Sequence, residues 1–365
     1  MIESKEPSYL DRWRGALWGM FVGDALAMPV HWYYDVAALQ RDFGVVRDFQ
    51  GPKEFHPNSI MSLANTGNAG RGSQEGEVVG SVILQGKKHL WGRHHRHYHE
   101  GLQAGDNTLN LLCVRVLMRS INKIGRYDAD DFLREYIALM TTADSHRDTY
   151  AESYHRAFFA NYSRGVPPDQ CAGAENHDTA SIGGLVGLPP VIMAAVQAGD
   201  EGAIDRTLLQ HLRLTHRSAT LERYALVLGQ LLPRLLQDPQ PQIEPLVYQA
   251  AESLGFPVAK VIEQVNREQL DDLHVIGGML SPACYIEHSF PAVLYLAARH
   301  VDDFEAALIA NTNVGGDNCH RGAILGALLG AALGYQAIPD RWLRGLRSRD
   351  ALEQEIESFL VGCQA

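Results

Sequence analysis

A chain of 365 residues, 46% hydrophobic and 21% charged, has the makeup of a soluble globular protein, with length for one large core or two ordinary domains. Its 32 Lys and Arg against 43 Asp and Glu leave a formal charge of −11, which argues against a nucleic-acid binder, since phosphate backbones are gripped by basic surface. Five cysteines without a CxxC pair, no apolar leader, and apolar runs shorter than the ~20 residues of a bilayer span argue against a disulfide framework, a signal peptide and a membrane partner, and lead to the expectation of a cytoplasmic protein.

Taken in order, the segments read as helices. The first apolar stretch carries Gly15, Gly19 and Gly23, then gives way to the aromatic exit His31-Trp32-Tyr33-Tyr34. Phe43–Gly72 is irregular, rich in Gly, Pro, Asn and Ser, and ends in Asn65–Gly72, a glycine-rich run with Arg71 that lacks the ending of a P-loop. His89–Glu100 is rich in histidine but has neither HExxH nor zinc-finger spacing, so a solvated face or a channel rim is expected there. Gly105-Asp-Asn-Thr108 leads into an apolar-periodic segment, Leu109–Ile121. Asp130–Thr141 follows, with Phe132, Leu133, Tyr136, Ile137 and Met140 on one face. Ile182–Ala195 holds Gly183 and Gly187. Leu221–Leu236 follows, with Pro233 expected to kink its last turn, then Asp303–Asn311. Finally Asn313-Val-Gly-Gly-Asp-Asn-Cys-His-Arg-Gly-Ala323 runs into a stretch of Gly, Ala, Ile and Leu that no face can solvate. Alternating β-branched runs are lacking, so the fold class is all-α, a compact multi-helix bundle, and without a Pro/Ser-rich linker residues 1–365 are expected to form one domain.

Glycine recurs every four residues in three of these segments: Gly15, Gly19, Gly23; Gly183, Gly187; and Gly322, Gly326, Gly330, Gly334. Each costs roughly 1 kcal/mol against alanine in a helix interior, so close approach of helix axes is the expected return. These three segments are expected to be the central helices.

The polar groups brought to the edge of that core carry the chemistry. Asp106, Asp178 and Asp317 each stand in a turn ahead of an apolar or small-residue segment. Singly, each reads as a helix cap. Together, converging helix N-termini would form one polar, anion-tolerant site. Asp24, shortly before Trp32 and Tyr33, fits a sugar- or base-binding arrangement or a bond to nearby backbone. No GxSxG elbow supports a nucleophilic serine, and Cys319 beside His320 is a poor nucleophile–base pair because sequence neighbours seldom align.

Gly23-Asp-Ala-Leu26, Gly105-Asp-Asn-Thr108, the His216 segment and Asn313–Gly334 occur in the order seen in the ADP-ribosylglycohydrolases, which the chain resembles over most of its length. The resemblance implies an all-α fold and cleavage of glycosidic bonds to ADP-ribose at a two-metal site. At the ligand positions the chain departs from the family: His31 replaces an acid, Gly105-Asp106-Asn107-Thr108 replaces Thr-Asp-Asp-Thr, and Asp317-Asn318-Cys319-His320 replaces Asp-x-Asp-Thr. Only Asp106 and Asp317 keep a carboxylate, so no metal and no cofactor are expected. The segments 27–34, 98–109 and 148–156 resemble the branch that holds jellyfish lens crystallins of the J type and their selenoprotein relatives, which implies a non-catalytic alternative.

The resulting expectation is a metal-independent glycoside hydrolase acting on a small-molecule or sugar-conjugate substrate. Asp106 and Asp317 would be the catalytic pair, with His31 or His320 as an alternative acid. Asp24, Asn107, Asp178, Asn313 and Asn318 would position sugar hydroxyls, and Trp32 and Tyr33 would stack on the substrate. Two rival readings are a ligand-binding or crystallin-like protein and an ADP-ribosyl hydrolase with a reduced metal site.

Overall fold

Helices account for all the regular structure among the described residues, which in this computed structural model are 7–59, 61, 78–176, 178–199, 201–238 and 241–361. Sixteen α-helices are present there, and β-pairing is confined to isolated bridges. In chain order they are α1 (Tyr9–Ala27), α2 (Val36–Phe43), α3 (Leu109–Ile124), α4 (Ala129–Thr141), α5 (Ser153–Ser163), α6 (Leu188–Gln197), α7 (Glu201–Arg213) and α8 (Ala219–Gln237). The second half comprises α9 (Ile243–Ser253), α10 (Val258–Glu268), α11 (Asp272–Val275), α12 (Ile286–Arg299), α13 (Phe304–Asn313), α14 (Asn318–Leu333), α15 (Asp340–Gly345) and α16 (Arg349–Val361). Side-chain oxygens start several of them: Ser8, Asp35, Asp128, Ser218 and Asp303 each accept a backbone N–H from the first turn. Pro233 lies inside α8, which runs on to Gln237. The glycine-rich run Asn65–Gly72 lies outside the described residues.

The bundle is built on α1 and α14, which are buried on every side. They run antiparallel with their glycines opposed: Gly15 faces Gly330, Gly19 faces Gly326 and Gly23 faces Gly322. A methyl group on any of the six would overlap the carbonyl of the opposite helix, so the backbones themselves form the contact. The other expected glycine segment is different. Gly183 lies in a 3-10 turn, Ile182–Leu185, facing the Glu152 carboxylate and the Asn110 amide, and Gly187 faces the His211 ring. These glycines make room for polar side chains, not for a third central helix. The glycine seam brings the end of α1 beside the start of α14, and there the polar groups collect.

Candidate active site

Chain geometry at the end of α1 follows from the turn that faces it. After Ala27 the chain makes a 3-10 turn, Met28–Val30, and Trp32 takes a left-handed backbone, φ 61°. For a bulky residue that conformation is strained and persists only where surroundings impose it. They do: Trp32 N–H donates to Gly316 O (2.8 Å) and Gly316 N–H to Tyr33 O (2.6 Å). Gly315 and Gly316 are both left-handed (φ 68° and 67°), and a side chain on either would strike the carbonyl of Tyr33 or Pro282. The paired glycines thus lock the exit of α1 onto the entry of α14.

That lock assembles a buried row of polar side chains. Asp317 Oδ1 lies 3.0 Å from His31 Nε2 and 2.7 Å from His320 Nδ1. His31 Nδ1 contacts His99 Nε2 at 2.7 Å, and His99 Nδ1 contacts Asp148 Oδ1 at 2.8 Å. On the other side His320 Nε2 lies 3.4 Å from Glu152 Oε1, and the Asn110 amide, which donates to Glu152 (2.6 Å), touches the same ring nitrogen at 2.9 Å. The row therefore runs Asp148–His99–His31–Asp317–His320–Glu152. Only its last member borders open space.

Burial and charge push these groups apart. Burial drives the His31 imidazole down to about 3, so it is neutral. Burial would also lower His320, but the carboxylates of Asp317 and Glu152 lift it to about 9. Burial would raise Asp317, yet the His320 charge and the bonds from His31 and His320 hold it below the usual carboxylate range. For Glu152 burial wins, and its carboxyl is raised against the pull of His320.

Glu152 opens onto a cavity of about 300 Å³ walled by aromatic rings, among them Trp32, Tyr98, Tyr150 and Tyr285, with Asp178 and Arg156 also in its lining. Trp32 stacks on His31 (3.7 Å between centroids, 20°), so the aromatic wall rests directly on the buried row.

Of the residues expected from sequence, Asp317, His31 and His320 come together, and Trp32 and Asp178 line the cavity. Asp106 does not join them. Its carboxylate pairs with Arg147 (2.6 Å) and lies 3.7 Å from Arg347, so the expected Asp106–Asp317 pairing is not formed. Asp24 is fully buried and accepts from Thr108 N–H, the Thr108 hydroxyl and the Asn107 amide, which fastens that turn to α1. Asn313 pins Val46 through its N–H and carbonyl, and Asn318 donates to Thr312 O and Val30 O. Tyr33 packs on His56 and donates to Asp42, so it fills core instead of facing the cavity. The free N–H groups at the start of α3 are taken by the chain's own acids, Thr108 by Asp24 and Leu109 by Asp148, and are not open to a ligand. Within the histidine run, His94 and His95 are exposed as expected, but His97 and His99 are buried.

The family profile described as ADP-ribosylglycohydrolase matches residues 5–365. The chain belongs to the ADP-ribosylglycohydrolase family. A solved structure titled "ADP-ribosylglycohydrolase-related protein complex" superposes with a TM-score of 0.65 and 22% identity, covering 97% of this chain and 99% of that one. That likeness concerns the fold. An uncharacterized protein of Archaeoglobus fulgidus is 52% identical over 52 residues, which is 14% of this chain and 16% of the relative, so the match spans a small part of either.

The paired divalent cations that the family resemblance implies can be tested against the donors present. His31, Asp317 and His320 offer ligand atoms within 4.8 Å of one another, two imidazoles and one carboxylate. Hard cations such as Mg²⁺ take about six oxygen ligands each, so this set does not fit a pair of them. It is a donor set that one borderline cation uses.

Proposed function

We propose that this chain hydrolyses a glycosidic bond of a sugar conjugate by side-chain acid/base chemistry without a bound cation. The observation that carries the reading is Glu152, a carboxyl raised by burial yet bordering the aromatic cavity, with a charged imidazole behind it. In its protonated form Glu152 gives its proton to the leaving-group oxygen or nitrogen. The His320 imidazolium then stabilises the carboxylate that results, and Asp317 keeps that imidazole charged and oriented. Asp178, the second acid of the lining, activates water or attacks the sugar carbon. Trp32 stacks on the substrate, while His31 and His99 hold Asp317 in place.

Glu152→Gln keeps the shape of the side chain and an acceptor for Asn110 but removes the proton. Turnover should fall roughly 10²–10⁴-fold, the usual worth of a general acid, with the thermal transition little changed. Retention of full activity by this variant sinks the assignment. EDTA should leave turnover intact, and loss with EDTA followed by rescue with Mg²⁺ would overturn the cation-free chemistry.

One specific observation favours a second reading, a single borderline divalent cation at His31, Asp317 and His320. Asp317 Oδ2 is buried and makes no hydrogen bond. Metal analysis of the purified protein separates the two: about one equivalent of a transition metal supports the cation, and none supports the proton chemistry.

A further inference from the structure

We infer that the cavity takes a phosphate-free glycoside with a planar aglycone, of nucleoside size, in place of ADP-ribose. The inference rests on the glycosidase reading for which bond is broken, and on the cavity alone for what is bound.

Three features of the lining carry it. The first is shape. The rings form an apolar corner: Trp32 meets Tyr98 edge to face at 4.5 Å and Tyr150 at 5.1 Å. One face of Trp32 is covered by His31 and one face of Tyr150 by Trp91, so each of these cavity-lining rings is backed by another ring. Rigid, backed rings suit stacking on a planar group.

The second is charge. Among the described lining residues Arg156 is the one cation, against the Asp178 carboxylate and the Glu152 carboxyl. Its guanidinium is already committed: it donates to Ala151 O at 2.6 Å and lies over the rings of Trp91 and Tyr150. The first turn of α5 also borders the cavity, but Glu152 stands at its N-cap position and presents its own carboxyl there. A pyrophosphate needs several charge-assisted donors at once, and desolvating it beside the Asp178 carboxylate is costly. Carboxylates are instead good acceptors for the hydroxyls of a ribose.

The third is size. A volume of about 300 Å³ is at the bottom of the roughly 300–1,000 Å³ span of small-molecule sites. ADP-ribose has nearly double the heavy atoms of a nucleoside.

Isothermal titration of the full chain with three probes tests this: inosine, nicotinamide riboside and ADP-ribose, each also assayed for release of ribose or base. Inosine or nicotinamide riboside should bind at least about tenfold more tightly than ADP-ribose. Trp32→Ala should weaken the nucleosides by roughly tenfold or more, in line with stacking of ~1–3 kcal/mol per base. Asp178→Asn should narrow the gap by improving ADP-ribose. Tighter binding of ADP-ribose, or no binding of either nucleoside, overturns the inference. Nucleoside binding without turnover upholds it and sinks the glycosidase reading, whereas turnover of ADP-ribosyl substrates alone does the reverse.

Discussion

Glu152 and Asp317 flank the same imidazole, and their surroundings move them in opposite directions. Asp317 touches two histidines, and their favourable contacts outweigh the cost of its burial. Glu152 has one amide donor and a more distant ring, and there burial dominates. Pairs of acids separated in this way divide into a proton donor and a permanent anion. The sign for activity follows: a raised carboxyl keeps its proton above the ordinary carboxylate range, and activity falls as pH climbs through that raised value. A profile of kcat/KM against pH should therefore show an alkaline limb that is absent from the residual activity of Glu152→Gln. Asp106, already paired with Arg147, should behave otherwise. Asp106→Asn should retain near wild-type turnover and lose about 1 kcal/mol or less of stability, because its partner is half-exposed; loss of turnover in that variant would restore it to the chemistry. Asp317 and His320 were legible in the sequence because an unsolvatable Gly/Ala helix forces its polar entry turn into the interior, and His31 because it stands in the aromatic exit of the first glycine-spaced helix. Glu152 was not. One acid at the head of an ordinary helix gives no periodic signal, and its role comes from Asn110 and His320, 42 and 168 positions away in sequence.

Between helices, the opposed glycines of α1 and α14 decide the packing. Alanine at Gly19 or Gly326 would gain roughly 1 kcal/mol in helix propensity but would force the backbones apart. Overpacking of this kind typically costs ~1–3 kcal/mol, so the net change should be destabilising. Denaturant titration of Gly326→Ala should give a lower midpoint with an unchanged slope; a higher midpoint would mean that the helices do not rely on this contact. Glycine spacing in the sequence gave both helices of the seam correctly. The same spacing at Gly183 and Gly187 misled, because a missing side chain serves equally to admit a neighbour's helix or a neighbour's polar group, here Glu152 and His211. Helix limits elsewhere were close: α3 runs three residues past its expected end, α4 starts one residue early, and α13 starts one residue late and ends two residues late.

Across the folded chain, many histidines are held neutral by burial. His56, His146 and His211 are pushed down to about 4 and His216 to about 3, all chiefly by desolvation. A folded value below the unfolded one means that the unfolded chain binds more protons as pH falls beneath about 6.5. Each such ring therefore contributes stability that is present above that pH and is lost progressively toward its folded value. Unfolding between pH 6 and 4 should be steep and should take up several protons, measurable as the slope of melting temperature against pH. A flat profile over that window would show these rings to be accessible to protons in the native state. The helical class and the burial of the last glycine-rich helix could be read from composition and periodicity, but this reserve of neutral histidines could not, since it depends on which rings the fold encloses. The meshed glycines also shape how the molecule moves. Like teeth on a rack, they bar any slide shorter than a full turn, about 5.4 Å. His31 and Asp317, mounted on opposite racks, can therefore travel only as one piece. Tyr98, Tyr150 and Tyr285 lie outside that seam, and their exchange would retune what enters the cavity without disturbing the machinery beneath.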